Sequence, residues 1–147
     1  MKKVLSLVLV LALAISLVAC GGAKNDNVLT MATNAEFPPY EFMQDGKIVG
    51  IDAEIGAAIA EKLGKELVIE NVDFDSLIPG VQTNKYDFVM AGMTVTDERK
   101  EQVNFSQTYA TGVQVVIVKE DSKITSVDDL FAEGANNKIG VQLATTG

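Results

Sequence analysis

Histidine and tryptophan are absent from this 147-residue chain, and Cys20 is its one cysteine. Without an imidazole there is no Ser-His triad, no histidine general base and no ordinary zinc site. One thiol closes no disulfide within the chain and builds no cysteine metal cluster. No metal, no cofactor and no catalytic residue is expected. Basic residues are also scarce, 12 against 20 acidic ones, for a net charge of −8. Setting Lys2 and Lys3 aside leaves ten basic residues and a net charge of −10. So acidic a chain is a poor partner for nucleic acid. Internal repeats and low-complexity tracts are missing as well.

What is present begins with an address. Lys2 and Lys3 form a basic start, and residues 4–18 are almost wholly apolar. The run falls short of the ~20 residues that span a bilayer comfortably. It ends in Leu17-Val18-Ala19-Cys20-Gly21, which resembles the lipobox of bacterial lipoproteins. The resemblance implies cleavage after residue 19 and lipidation of Cys20. An uncleaved anchor with an incidental cysteine is the alternative. Gly22-Ala23-Lys24-Asn25-Asp26-Asn27 is small and polar, so residues 20–27 read as a lipidated tether. The expected location is extracytoplasmic, lipid-anchored to the outer face of the cell membrane or periplasmic.

From residue 28 the pattern alternates strand and helix. Residues 28–33 read as a strand, and 34–39 as a loop whose prolines forbid regular ladder pairing. Asp45-Gly46 between residues 40–43 and 47–50 signals a hairpin. Residues 52–63 read as a helix, with Asp52 as its cap and Gly64 as its left-handed end. Ile55, Ile59 and Leu63 recur at spacing four and are expected as its core stripe, each contributing roughly 1.5–3 kcal/mol on burial. Residues 66–72 read as a strand. A second helix, capped by Asp75 or Ser76, runs to about 84. Residues 86–90 form an apolar strand, 112–119 a long β-branched one, 126–131 a short helix with Ser126 and Asp129 spaced as a capping-box variant, and 138–143 a last strand. The order predicts an α/β fold with a mainly parallel sheet. Ligands of such sheets bind beyond the carboxyl ends of strands. The loops 34–39, 73–76 and 92–99 are expected on that one rim. A last strand without a following helix reads as the front part of a longer protein.

The sharpest local signal is Ala91-Gly92-Met93-Thr94-Val95-Thr96-Asp97-Glu98-Arg99. A strand ends in a flexible pair, then offers free amides, a Thr hydroxyl, a helix start and a guanidinium. Helix-start amides suit a small anion, and a guanidinium fork matches two carboxylate oxygens. The bland alternative is a surface Arg99 paired with Asp97 or Glu101, which contributes little.

Asn34-Ala35-Glu36-Phe37-Pro38-Pro39-Tyr40-Glu41-Phe42, Gly50-Ile51-Asp52, Asp73-Phe74-Asp75-Ser76-Leu77-Ile78-Pro79 and the 91–99 stretch resemble bacterial extracellular solute-binding proteins of the polar amino acid type (family 3). Asn104-Phe105-Ser106 and Gly140-Val141-Gln142-Leu143-Ala144-Thr145-Thr146-Gly147 extend the resemblance over essentially all of the chain after the tether. It implies a two-lobed periplasmic-binding-protein-like type II fold, a receptor for an ABC importer. Lobe 1 would span 28–110, nearly complete, and 111–147 would open a truncated lobe 2. By the same resemblance Arg99 pairs with the ligand's α-carboxylate, Gly92 offers a carbonyl to its α-ammonium, and Thr94 offers amide and hydroxyl, with Met93 between them. Phe37 and Phe74 match two aromatic positions that sandwich the ligand's side chain. Asn34 stands where many relatives have aspartate, which weakens the case for a strongly cationic ligand; Glu36 restores charge nearby or faces water. Thr145 and Thr146 match a carboxylate-binding turn of the second lobe. Implied partners are a free amino acid, the permease subunits and, through the lipid, the membrane. No enzyme activity is expected. A dehydratase-like cleft enzyme, with Glu36 as its acid or base, and a sensory domain on the same fold are the alternatives. The chain alone is expected to bind weakly or not at all.

Overall fold

Val28 to Thr33 alternates well enough to bury one side of a strand, and it does so as the centre of a parallel sheet. A computed structural model describes residues 25–147. Signal and lipidation at residues 1–20, and the tether up to residue 24, lie outside the described residues. β1 (Val28–Thr33) runs between β5 (Glu66–Asn71) and β6 (Phe88–Val89). Both pairings are parallel, with Val28 opposite Glu66, Thr33 opposite Asn71 and Met31 opposite Phe88. β2 (Glu36–Phe37), β3 (Glu41–Gln44) and β4 (Lys47–Val49) form a small antiparallel sheet. Asp45 and Gly46 turn its hairpin with φ of 51° and 76°, the pair of positive values that the twist of a two-residue hairpin demands.

α1 (Ile51–Leu63) packs on this frame, and it corrects two expectations. Its N-cap is Gly50, and no side chain caps it; Asp52 is instead wholly buried and bonded elsewhere. Its buried face is Asp52, Ala53, Gly56 and Ala60, whereas Ile59 and Leu63 are 38% and 58% exposed and Ile55 is half-buried. The reason is steric. A Cβ on Gly56 would lie 2.6 Å from the Met31 sulfur, so the small residues mark where the helix meets the sheet. Gly64 ends the helix at φ 65°, as expected.

The second helix is shorter than expected. A 3₁₀ turn at Phe74–Ser76 leads into α2 (Leu77–Gln82), and neither Asp75 nor Ser76 caps it with a side chain. α3 (Asp97–Lys100) is a single turn. Ala32, Leu77, Tyr86 and Ala91 form the buried core beneath the sheet's end, with Val72, Phe74, Val89 and Met93 against it. Residues 112–119 and 138–143, expected as strands, form none in the structure. Strand propensity is realised only where a partner supplies the ladder, and neither segment has one among the described residues. The helix expected at 126–131 is one 3₁₀ turn, Asp128–Leu130. The Asp129 carboxylate accepts the Thr125 and Ser126 amides at 2.7 and 2.8 Å. Those bonds hold it below the usual carboxylate range.

Parallel strands put their carboxyl ends on one edge. Asn34, Val72 and Met90 follow β1, β5 and β6 there, so the three expected stretches share a rim, but Glu36 and Phe37 in the first are paired with β3 as a strand, not a loop. Asn34 Nδ2 donates to the Val72 carbonyl at 3.0 Å, and the Ala35 amide donates to Asn71 Oδ1 at 2.8 Å.

Candidate functional site

α3 exists because Thr96 leaves the chain extended and accepts the Arg99 amide on its hydroxyl at 3.2 Å. That turn aims Arg99 inward, where it is 9% exposed. Its Nη1 donates to the Thr94 carbonyl and its Nη2 to the Ala144 carbonyl, both at 2.7 Å. The guanidinium carbon lies 5.6 Å from the centre of the Phe74 ring, a favourable cation–π placement. Asp97 pairs with Lys100 at 3.0 Å, not with Arg99. Among the described residues Arg99 therefore meets neutral oxygen acceptors and keeps its charge uncompensated.

Gly92 stands at φ 51°, and a Cβ there would come within 2.9 Å of the Phe37 ring. Both facts require glycine. Its amide donates to Asp52 Oδ2 at 2.9 Å. Phe37 is half exposed and stacks on Tyr40, centroids 5.3 Å apart. Phe74 is the partner of Arg99, so the two expected aromatic residues have separate partners. Met93 is partly buried against the core, and Thr94 is exposed. The Thr94 hydroxyl lies 3.5 Å from that of Thr146. Thr145 closes its own turn, donating to the Gln142 carbonyl at 2.8 Å.

Asn34 is buried with both amide atoms engaged: Nδ2 on Val72, and Oδ1 accepting Gln142 Nε2 at 2.7 Å. Glu36 is exposed beside it. Together with Asp73, Phe74, Asp75, Gln142 and Leu143, these two line a cavity of about 270 Å³. Three carboxylates and no basic residue face it. Arg99 and Gly92 lie outside that lining, and Phe74 joins the two regions.

Four residues of this region escape sequence reasoning: Glu41, Asp52, Tyr109 and Gln142. Asp52 looks like a cap, but its carboxylate accepts the Tyr109 hydroxyl at 2.9 and 3.1 Å as well as the Gly92 amide. Glu41 is 1% exposed, and its Oε2 finds no partner. Burial, then the hydrogen bond and charge of Asp52, push Glu41 up to about 9. Burial and the Asp52 charge raise Tyr109 too. The available signal was a lone carboxylate inside the apolar run Tyr40-Glu41-Phe42-Met43.

A sequence model of the bacterial extracellular solute-binding proteins, family 3, matches residues 29–143. The arginine-binding extracellular protein ArtP of Bacillus subtilis (strain 168) is 37% identical over 150 residues, which cover 99% of this chain and 57% of that protein. A probable histidine-binding protein of Campylobacter jejuni is 35% identical over 99% of this chain and 59% of its own length. The chain thus spans little more than half the length of these relatives. Domain 1 of TmArgBP, solved in an arginine-bound form, superposes with a TM-score of 0.57 at 43% identity, over 62% of this chain and 73% of that one. Parallel α/β topology, a rim of three strand-end stretches and a match to the family model over most of the described residues converge: the chain belongs to the bacterial extracellular solute-binding proteins, family 3.

Proposed function

We propose that this chain captures a polar amino acid for an ABC importer, with no bond chemistry, and that the ligand is a cationic amino acid of the arginine kind. The observation that carries the reading is Arg99, buried, charged and bonded only to carbonyls at the strand-end rim. A ligand carboxylate can replace those carbonyls and offers two charged oxygens to the same fork. The Gly92 carbonyl and Thr94 then take the α-ammonium side. Phe74 and Phe37 pack along the ligand's stem, and Thr145 and Thr146 approach from a second lobe beginning near residue 111, the first spanning 28–110.

Asn34 adds no charge, so recognition of a distal cation falls to the cavity beyond Phe74, where Glu36, Asp73 and Asp75 stand together. The arginine-binding names of ArtP and TmArgBP domain 1 support the same ligand class. A relative's domain 1 in an arginine-bound form also favours measurable binding by the present chain, against the weak binding expected from sequence. Delivery to a permease and anchoring through Cys20 complete the proposal.

The test is a thermal-shift screen of the chain against the amino acids. A ligand at a hundred times its dissociation constant adds about 2.7 kcal/mol of stability. Arginine should give the largest rise in melting temperature, with acidic amino acids giving none. No response to any amino acid refutes the reading.

A further inference from the structure

Glu41 and Asp52 are 1% and 0% exposed, and both stand beside Gly92: Asp52 Oδ2 accepts its amide at 2.9 Å, and Glu41 Oε1 lies 3.7 Å from where its Cβ would be. They come from β3 and α1. Around them stand the Gly92 amide, from the turn after β6, and the Tyr109 hydroxyl, from the segment after α3; both donate to Asp52. The Asp52 amide itself donates to the Tyr40 carbonyl at 2.9 Å. The charge acting on Glu41 is that of Asp52, and those acting on Tyr109 are Asp52 and Glu41. Two ionised carboxylates side by side inside a protein repel strongly. Asp52 is committed as acceptor by two donors, so Glu41 is the member that must carry a proton. Its Oε2, buried without a partner, agrees with a neutral acid, since an ionised oxygen there would lack any donor.

We propose that Glu41 and Asp52 are positioning residues for the ligand turn: Glu41 holds a proton beside Asp52, Asp52 thereby fixes the Gly92 amide and the Tyr109 hydroxyl, and loss of the proton releases both. The part that concerns ligand rests on the reading of the 92–99 turn given above; the Glu41 proton does not. With the proton in place, Asp52 ties the Gly92 turn and the Tyr109 segment to α1, and the Phe37 ring packs against Gly92. When Glu41 ionises, the repulsion falls on Asp52, and the bonds to Gly92 and Tyr109 are the ones that can give way. Binding that requires the protonated pair weakens by up to about tenfold per pH unit above the Glu41 transition.

The experiment uses the whole chain without ligand. The Gly92 amide and Tyr109 ring resonances are followed by NMR from pH 6 to 10, alongside an isotope-edited infrared band for protonated glutamic acid. We expect a protonated-acid band at neutral pH, and one shared alkaline transition at Gly92 and Tyr109 that the Glu41→Gln variant lacks. Absence of the band at neutral pH, or the same transition in Glu41→Gln, overturns the proposal; the band needs only the wild-type chain, so a poorly folding variant does not spare it. Arginine affinity is then compared between the two proteins at each pH, which cancels the ligand's own titration. A steeper alkaline loss in the wild type supports the link to binding, and parallel curves overturn it. If neither protein binds arginine at any pH, the proposed function fails while the infrared and NMR results still decide on the proton.

Discussion

Replacing Arg99 by alanine separates two effects whose sizes follow from its surroundings. In the folded protein it removes two charge-assisted hydrogen bonds of 2.7 Å and the contact with Phe74. Such bonds contribute about 1.5–3 kcal/mol each where the abandoned acceptor stays dry. Thr94 and Ala144 are exposed, so their carbonyls regain water. The loss of folding stability should therefore sit near the low end, about 1–2 kcal/mol in all. Under the proposed function binding should suffer more, because the ligand carboxylate would enter the same place and find no counter-charge. That omission costs about 3–5 kcal/mol, a loss of roughly a hundred- to several-thousand-fold in affinity. Arg99→Lys should fall between, since it keeps the charge but loses the planar fork. Isothermal titration with arginine, at a temperature where circular dichroism reports all three proteins folded, reads the effect directly. A wild type that binds and an Arg99→Ala variant that binds equally well would refute the assignment of the carboxylate to this residue.

Other expectations follow from single contacts. Gly92→Ala forces a Cβ into the Phe37 ring at a positive φ; it should lose about 1–2 kcal/mol from the backbone alone, seen as a lower urea midpoint, together with weaker ligand binding. Gly80→Ala should gain about 1 kcal/mol of helix propensity but drive a methyl into the buried Tyr86 ring, at an overpacking cost of about 1–3 kcal/mol; a midpoint higher than wild type would contradict this. Glu41 also shapes the pH dependence of folding. Its value rises from 4.5 to about 9, so the folded chain holds a proton that the unfolded chain releases. Its contribution is fully present below about 4.5 and is lost on the way to about 9, at about 1.4 kcal/mol per pH unit. Urea midpoints between pH 6 and 8 should fall more steeply for the wild type than for Glu41→Gln.

The central strand, the hairpin and the rim were legible because each is written locally. β1 matches residues 28–33 to the residue, and Asp45-Gly46 turns as such pairs do. The inner face of α1 was not legible, since spacing alone favours the larger side chains. What decides the face is how near the sheet lies, and Ala53, Gly56 and Ala60 permit the nearest approach. Of the candidate site, Arg99 and Gly92 stood out through their place after a strand, a pattern that a single window shows. Asp52 did not, because a buried acceptor and a helix cap look alike until residues 40 and 57 positions away arrive beside it. The strands expected at 112–119 and 138–143 failed for the same reason in reverse, with local preference but no neighbour to pair among the described residues.

Under the proposed function, the neutral partners of Arg99 bear on how a cationic amino acid would arrive. The chain as a whole is acidic, with a net charge of −8, and three carboxylates line the neighbouring cavity. An approaching zwitterion with an added positive side chain is drawn cation-first toward that acidic mouth. Its carboxylate meets attraction only at the last step, when the guanidinium gives up its carbonyls. On that reading orientation would be selected during the encounter itself, before any contact forms, and added salt should slow capture of a cationic ligand more than that of a neutral one.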